Sequence, residues 1–181
     1  MKWFLLFIFI VPSVYGQSQL FASQAFSLIS SNAESISFIR ATSVSKRVSF
    51  QDLEKRIFEM LNQRRAEIGL EPLVWNERLA LAARLHSKQM AQYGFFSHVG
   101  LDGSLVSKRI EAFGVKGWRA VGENIAYNRG FDDPVSTACE GWMKSRGHRD
   151  NILSPRWKES AVGIAVATDG TYYFTQIFLE K

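Results

Sequence analysis

A single cysteine, Cys139, stands among 181 residues, so the chain cannot close an internal disulfide and must draw its stability from a packed core. Cys139 falls on the apolar face of a predicted helix, which reads as a buried, inert thiol. Histidine is nearly as scarce: His86, His98 and His148 are the whole set. They form no His-Glu-x-x-His, so spacing alone is a weak signal for metal. Ser97 and Ser145 lie near histidines, but neither sits in a Gly-x-Ser-x-Gly elbow, which argues against a serine hydrolase. No block of Lys and Arg and no aromatic-interleaved basic patch occurs, which excludes nucleic acid as a partner. The balance of 22 Lys+Arg against 17 Asp+Glu is mildly basic and interspersed. It fits ordinary solubility, with at most a weak peripheral attraction to an anionic envelope.

No apolar run approaches the ~20 residues that a membrane-spanning helix needs. The run from Trp3 to Val11, after Lys2 and before the small residues Val14 and Gly16, has instead the form of a secretory signal peptide over residues 1–16. A secreted, extracellular protein is expected, or a periplasmic one in a Gram-negative cell. No cysteine lies near the cleavage point, so a bacterial lipoprotein anchor is not expected. Residues 17–48 are Ser-rich, without Pro or Gly, and read as a tail or linker with a loose helix around 26–39.

What is present is a hydrophobic fraction of 46%, ample for one core, in a domain expected over residues 49–181. Ser49 and Asp52 have capping-box spacing, and Val48 and Leu53 that of a hydrophobic staple. Leu53, Ile57, Met60, Leu61, Arg64 and Ile68 follow helical spacing, with Gly69 as the stop. After Pro72, a second helix from Asn76 to near Gly94 carries Leu79, Ala82, Ala83, His86 and Met90 on one face. A short helix from about Ser104 has Val106, Ile110 and Phe113 as its stripe. Residues 118–126 read as a strand made irregular by Gly122-Glu123-Asn124. Asp133 and Pro134 open a helix with Val135, Ala138, Cys139 and Trp142 inward, and Gly147 is expected to close it. Two final strands, residues 161–167 and 171–179, pair through a two-residue Asp169-Gly170 turn. Both faces of that hairpin are apolar, so both should be covered. The expected fold is α+β, a three-layer α-β-α sandwich with a small antiparallel sheet between helical layers.

Three residues are candidates for chemistry. His98 follows Phe95-Phe96 at a helix-to-loop junction, where it can reach a cleft. Glu123 interrupts an apolar segment, so its carboxylate needs a partner: His98, His148 or a backbone donor. His148 follows the presumed helix stop. Two histidines and a carboxylate can hold a zinc ion with one position open, or can run general acid/base chemistry. His86, on the inner helix face, reads as a hydrogen-bonded core histidine.

The ordered set of motifs carries a resemblance. His86-Ser87-Lys88-Gln89-Met90-Ala91, Phe95-Phe96-Ser97-His98, Gly122-Glu123-Asn124-Ile125-Ala126, the stretch from Gly141 to Leu153, Val162-Gly163-Ile164-Ala165 and Tyr173-Phe174-Thr175-Gln176-Ile177-Phe178 occur in that order. Together, over about residues 49–179, they resemble the CAP superfamily, or SCP domain, in its bacterial-type branch. The resemblance implies an α-β-α sandwich and a cavity lined by two His and two acidic residues. His98, Glu123 and His148 match three of those positions. Ser145 stands where the second acid would be, lining the cavity, and Glu140 nearby should point away from the Trp142 face. The resemblance further implies a divalent metal such as zinc, a small ligand, a lipid or sterol, or an envelope component as partner. A monomer is expected. Binding without catalysis is the leading expectation; hydrolysis of peptide or cell-wall material is the alternative, with His98 or His148 as base and Glu123 as acid or orienter.

Overall fold

The computed structural model describes residues 49–181. The expected leader, the Ser-rich segment and Val48 of the staple lie outside the described residues. The elements that follow are α1 (Phe50–Ala66), β1 (Val74–Trp75), α2 (Glu77–Tyr93), α3 (Val106–Ala112), β2 (Ala120–Asn128), α4 (Pro134–Lys144), α5 (Arg146–Ile152), β3 (Glu159–Val166) and β4 (Tyr172–Glu180).

The capping box at Ser49 and Asp52 is formed, and it opens α1. The buried face of α1 differs from the predicted stripe. Ile57 and Leu61 are inside, but so are Glu54 and Arg65, while Ile68 lies past the helix end and is exposed. Apolar periodicity misses charged side chains that turn inward to satisfy backbone. Arg65 Nη1 donates to the Ile152 and Ser154 carbonyls, each at 2.8 Å. Glu54 Oε1 accepts the Ile164 N–H at 3.1 Å, and its carboxylate also takes the Arg84 guanidinium at 2.7 Å.

The sheet order is β1-β3-β4-β2, with β1 parallel to β3 and the other pairs antiparallel. The two-residue β1 makes the sheet mixed rather than purely antiparallel. One face packs on α1 and α4 through Ile57, Leu61, Trp142, Phe174 and Phe178. The other packs on α2 and α3 through Leu79, Ala83, Ile110, Ile177 and Leu179. The three-layer architecture is as expected.

Strand β2 runs unbroken through Gly122-Glu123-Asn124, which pair with Phe178, Ile177 and Gln176, so the expected irregularity is absent. Each of the three residues is accommodated in place. A Cβ at Gly122 would lie 2.9 Å from Trp157 Cζ2, so glycine makes room for the indole. Glu123 and Asn124 both find polar partners (below). The β3–β4 loop is one residue longer than the predicted turn. Ala167 N–H donates to the Thr171 carbonyl and Gly170 N–H to the Ala167 carbonyl, with Gly170 at φ 85. This is a three-residue hairpin with its left-handed residue last.

Helix α4 begins as read, with Asp133 accepting the Ser136 N–H and Pro134 next. Its Cys139 is fully buried, and burial pushes the thiol up, in keeping with an inert role. The helix ends at Lys144, however, not at Gly147. Ser145 is at once the last cap of α4 and the first of α5. Gly147 lies inside α5, where an added Cβ would meet nothing, and His148 is a helical residue rather than a loop residue.

Helix α2 sits directly on the sheet. A Cβ at Gly163 would be 2.1 Å from the Arg84 backbone nitrogen. Ser87 Oγ donates to the Gly163 carbonyl at 2.9 Å and lies 2.8 Å from Thr175 Oγ1. His86, fully buried, holds the segment after α2 through Nε2 and the Ser97 carbonyl at 2.9 Å, the core role expected of it. Gly163→Ala should therefore destabilise the fold by more than ~3 kcal/mol, since the clash is with backbone, and chemical denaturation would show it. Burial, and next the charge of Arg109, lowers the His86 pKa below its ordinary 6.5. The unfolded chain then binds the extra proton first. The stability this group contributes is present above pH 6.5 and is lost as pH falls through the lower folded value. In melts between neutral and mildly acid pH, His86→Gln, which keeps a donor for Ser97, should show a flatter loss than wild type. Equal slopes would refute this.

Candidate functional site

The site is built across β2, an edge strand of the sheet. Glu123 projects from its middle and is 3% exposed. Its Oε1 lies 2.8 Å from His98 Nδ1. Its Oε2 receives Nη2 of Arg109, a residue of α3 that is 5% exposed. Arg109 Nη1 donates in addition to the His98 and Ser104 carbonyls, both at 3.0 Å. A carboxylate only accepts, so Nδ1 carries the proton toward Glu123 and Nε2 is turned outward. That ring is 54% exposed. The result is a solvent-facing histidine fixed by a buried acid, which is fixed by a buried guanidinium. Of the partners foreseen for Glu123, the structure supplies His98.

His148, in α5, is tied to the next residue of the same strand. Asn124 Nδ2 donates to the His148 carbonyl at 3.1 Å, and Asn151 Nδ2 donates to Asn124 Oδ1 at 2.9 Å. This amide chain ties α5 to β2. Burial, then the neighbouring His98, lowers the His148 pKa, so the ring is neutral at pH 7. His148 and Ser145 line a groove of about 410 Å³ with Ile125, Phe131 and Trp142. Glu123 thus joins His98 directly, while His148 and Ser145 belong to the adjoining groove. Among the described residues, no group of three or more His, Cys, Asp or Glu side chains is placed to hold a metal ion. Both oxygens of Glu123 already accept hydrogen bonds, Oε1 from His98 and Oε2 from Arg109, so a built-in cation stands where a His98/His148/Glu123 centre would place its metal. Glu140 points to solvent, as expected, and pairs with Lys144 at 3.3 Å. Ser97 Oγ accepts the Val99 N–H at 3.0 Å.

Two features escaped the sequence reading. Arg109 lies beside Ile110 in a short amphipathic helix, where an arginine defaults to solvent, and no spacing rule marks it. The second feature is an aromatic ledge. Phe96 meets Tyr127 edge-on at 4.8 Å, and Tyr127 stacks on its cross-strand partner Tyr173 at 6.1 Å. Phe96, Tyr127 and nearby Phe131 are 46%, 59% and 57% exposed. A second hollow, of about 590 Å³, is lined by Tyr127, Phe131 and Tyr173 with Asn128, Arg129 and Asp169, and it continues the groove. The signal was present in the aromatic residues read on both faces of the last strand, but covering was expected where the structure leaves this end of the sheet open.

The profile of the CAP family, the cysteine-rich secretory protein family, matches residues 58–178. The Bacillus subtilis membrane protein YlbC is 37% identical over 71% of this chain and 34% of its own length. The B. subtilis protein YkwD is 32% identical over 77% of this chain and 52% of its own length. The chain therefore spans about a third to a half of these relatives. Among solved structures, an extracellular SCP-domain protein from Bacillus anthracis superposes with a TM-score of 0.62 at 30% identity, covering 72% of this chain and 41% of that one. An outer surface protein of Borrelia burgdorferi gives 0.63 at 16% identity over 70% and 91%, a likeness of fold alone. Among the described residues no helix is long and apolar enough to cross a membrane. Profile, relatives and fold agree: the chain belongs to the CAP family, in its bacterial-type branch.

Proposed function

We propose that this domain is a secreted, non-catalytic binding module that holds a hydroxyl-rich component of the cell envelope, a stretch of glycan, across the groove and ledge beside His98. The observation that carries this reading is the row of exposed Phe96, exposed Tyr127 and half-buried Tyr173, beside an imidazole whose Nδ1 is held by Glu123. Contiguous exposed aromatic surface marks a binding face. Ring faces pack against the C–H faces of sugars. The hydroxyls between them find His98 Nε2, Ser145 and the Arg129–Asp169 pair, itself closed at 2.8 Å. A few placed polar groups on an apolar floor are the ordinary makeup of a small-ligand site.

A second reading, hydrolysis, is favoured by one observation: the His98–Glu123 pair has the form of a base and its orienter. No activated nucleophile accompanies it among the described residues, so water would have to be the attacking group.

Binding to purified cell-wall glycan strands separates the two. Tyr127→Ala and His98→Ala should each weaken binding about tenfold or more, a loss of ~1.4 kcal/mol, with the fold intact by circular dichroism. Unchanged affinity in Tyr127→Ala would remove the ledge from the function. Release of soluble fragments by wild type, abolished in Glu123→Gln, would move the assignment to a hydrolase.

A further inference from the structure

We propose that Arg109 is the resident cation of this site: its guanidinium, rather than a divalent ion, balances Glu123 and carries His98, so the cleft takes its ligand without metal. A carboxylate draws in a divalent ion chiefly through charge that nothing else compensates. The charge of Glu123 is already met, with Oε1 accepting from His98 Nδ1 at 2.8 Å and Oε2 accepting from the Arg109 guanidinium. No second acid makes up the difference. Ser145 is uncharged, and Glu140 is spent on Lys144 at the surface. A divalent ion entering beside Glu123 would meet the fixed positive charge of Arg109 and a carboxylate already neutralised by it, and both terms oppose binding.

Arg109 is also built in more firmly than an incidental surface charge. Its fork reaches three groups: the Glu123 carboxylate and the carbonyls of His98 and Ser104. One planar guanidinium thus ties the segment that carries His98 to the strand that carries Glu123. Lysine, whose three N–H donors all sit on one nitrogen, lacks the planar fork that spans these groups. Arg109 touches no ligand; it is a positioning residue. The inference rests on reading the cleft as a ligand site, but its test needs no ligand.

The full chain, with histidines labelled in nitrogen-15, is titrated with zinc chloride by calorimetry and by NMR. Wild type should give negligible heat, and the His98 Nδ1–H resonance, shifted downfield by its bond to Glu123, should not respond to zinc. Arg109→Met, which keeps length but removes the fork, should shift or lose that resonance, which loss of stability elsewhere in the fold would not do. Zinc binding to wild type tighter than about 10 µM, removed by His98→Ala, would overturn the proposal. So would an unchanged His98 resonance in folded Arg109→Met. Should that variant fail to fold, the wild-type titration decides alone. Failure of the glycan reading would leave both signals in place, so the two conclusions stand or fall separately.

Discussion

Among the glycines of the described residues, the tightest approach governs much of the rest. Helix α2 lies against β3 at Gly163, where even a methyl group would strike the backbone at Arg84. Only a hydrogen at that position lets the helix descend so far, and the small residues Ala80, Ala82 and Ala83 let it lie flat. That depth brings Ser87 within hydrogen-bond reach of the Gly163 carbonyl and Thr175. It also places His86 where its ring can catch the Ser97 carbonyl. From Ser97 to His98 is one residue. The position of the exposed imidazole is thus inherited, through two buried polar contacts, from a packing distance on the far side of the helix.

The second fixed point is the buried charge. Removing two ions from water costs several kcal/mol each unless the geometry and the remaining hydrogen bonds compensate. Glu54 and Glu123 meet that demand in parallel ways. Glu54 accepts an Ile164 N–H and takes the Arg84 guanidinium, joining α1, α2 and β3. Glu123 takes Arg109 and His98, joining β2, α3 and the segment after α2. The first pair is closed within the scaffold. The second leaves one partner, the imidazole, half in solvent. The same device that staples the layers together becomes, at the sheet edge, a device that presents a nitrogen.

The sequence made the scaffold legible wherever local chemistry is self-contained. The Ser49 capping box, the Asn76 and Asp133 caps, the stop at Gly94 and the inward face of Val135, Ala138, Cys139 and Trp142 are all set by neighbours a turn away. What stayed hidden depends on partners far along the chain. Arg65 reads as a surface residue until the Ile152 and Ser154 carbonyls arrive beneath it. Gly122-Glu123-Asn124 reads as a break until Trp157, Arg109 and His148 supply what each position requires. Gly147 reads as a stop because glycine disfavours helices, yet α5 starts afresh at Ser145 and passes through it. His98, Glu123 and His148 were nameable because their residue types are few. Arg109 was not, since arginine is common and its burial is a tertiary event.

The departure at Ser145 and the presence of Arg109 belong to one charge balance. A site with two buried acids has negative charge to spare and calls for an added cation. In a site with one acid and one built-in guanidinium, those two charges already balance. His148, kept neutral at pH 7 by burial and by its neighbour, can then line an apolar groove without desolvating a charge. His98, with Nδ1 held by Glu123, presents Nε2 to whatever lies along the aromatic ledge. Neutrality also explains why exposed rings and polar groups can share one face. A strongly charged centre would hold a tight water shell against the ledge and weaken stacking there. An internally compensated one lets a neutral, hydroxyl-bearing ligand displace that water at lower cost.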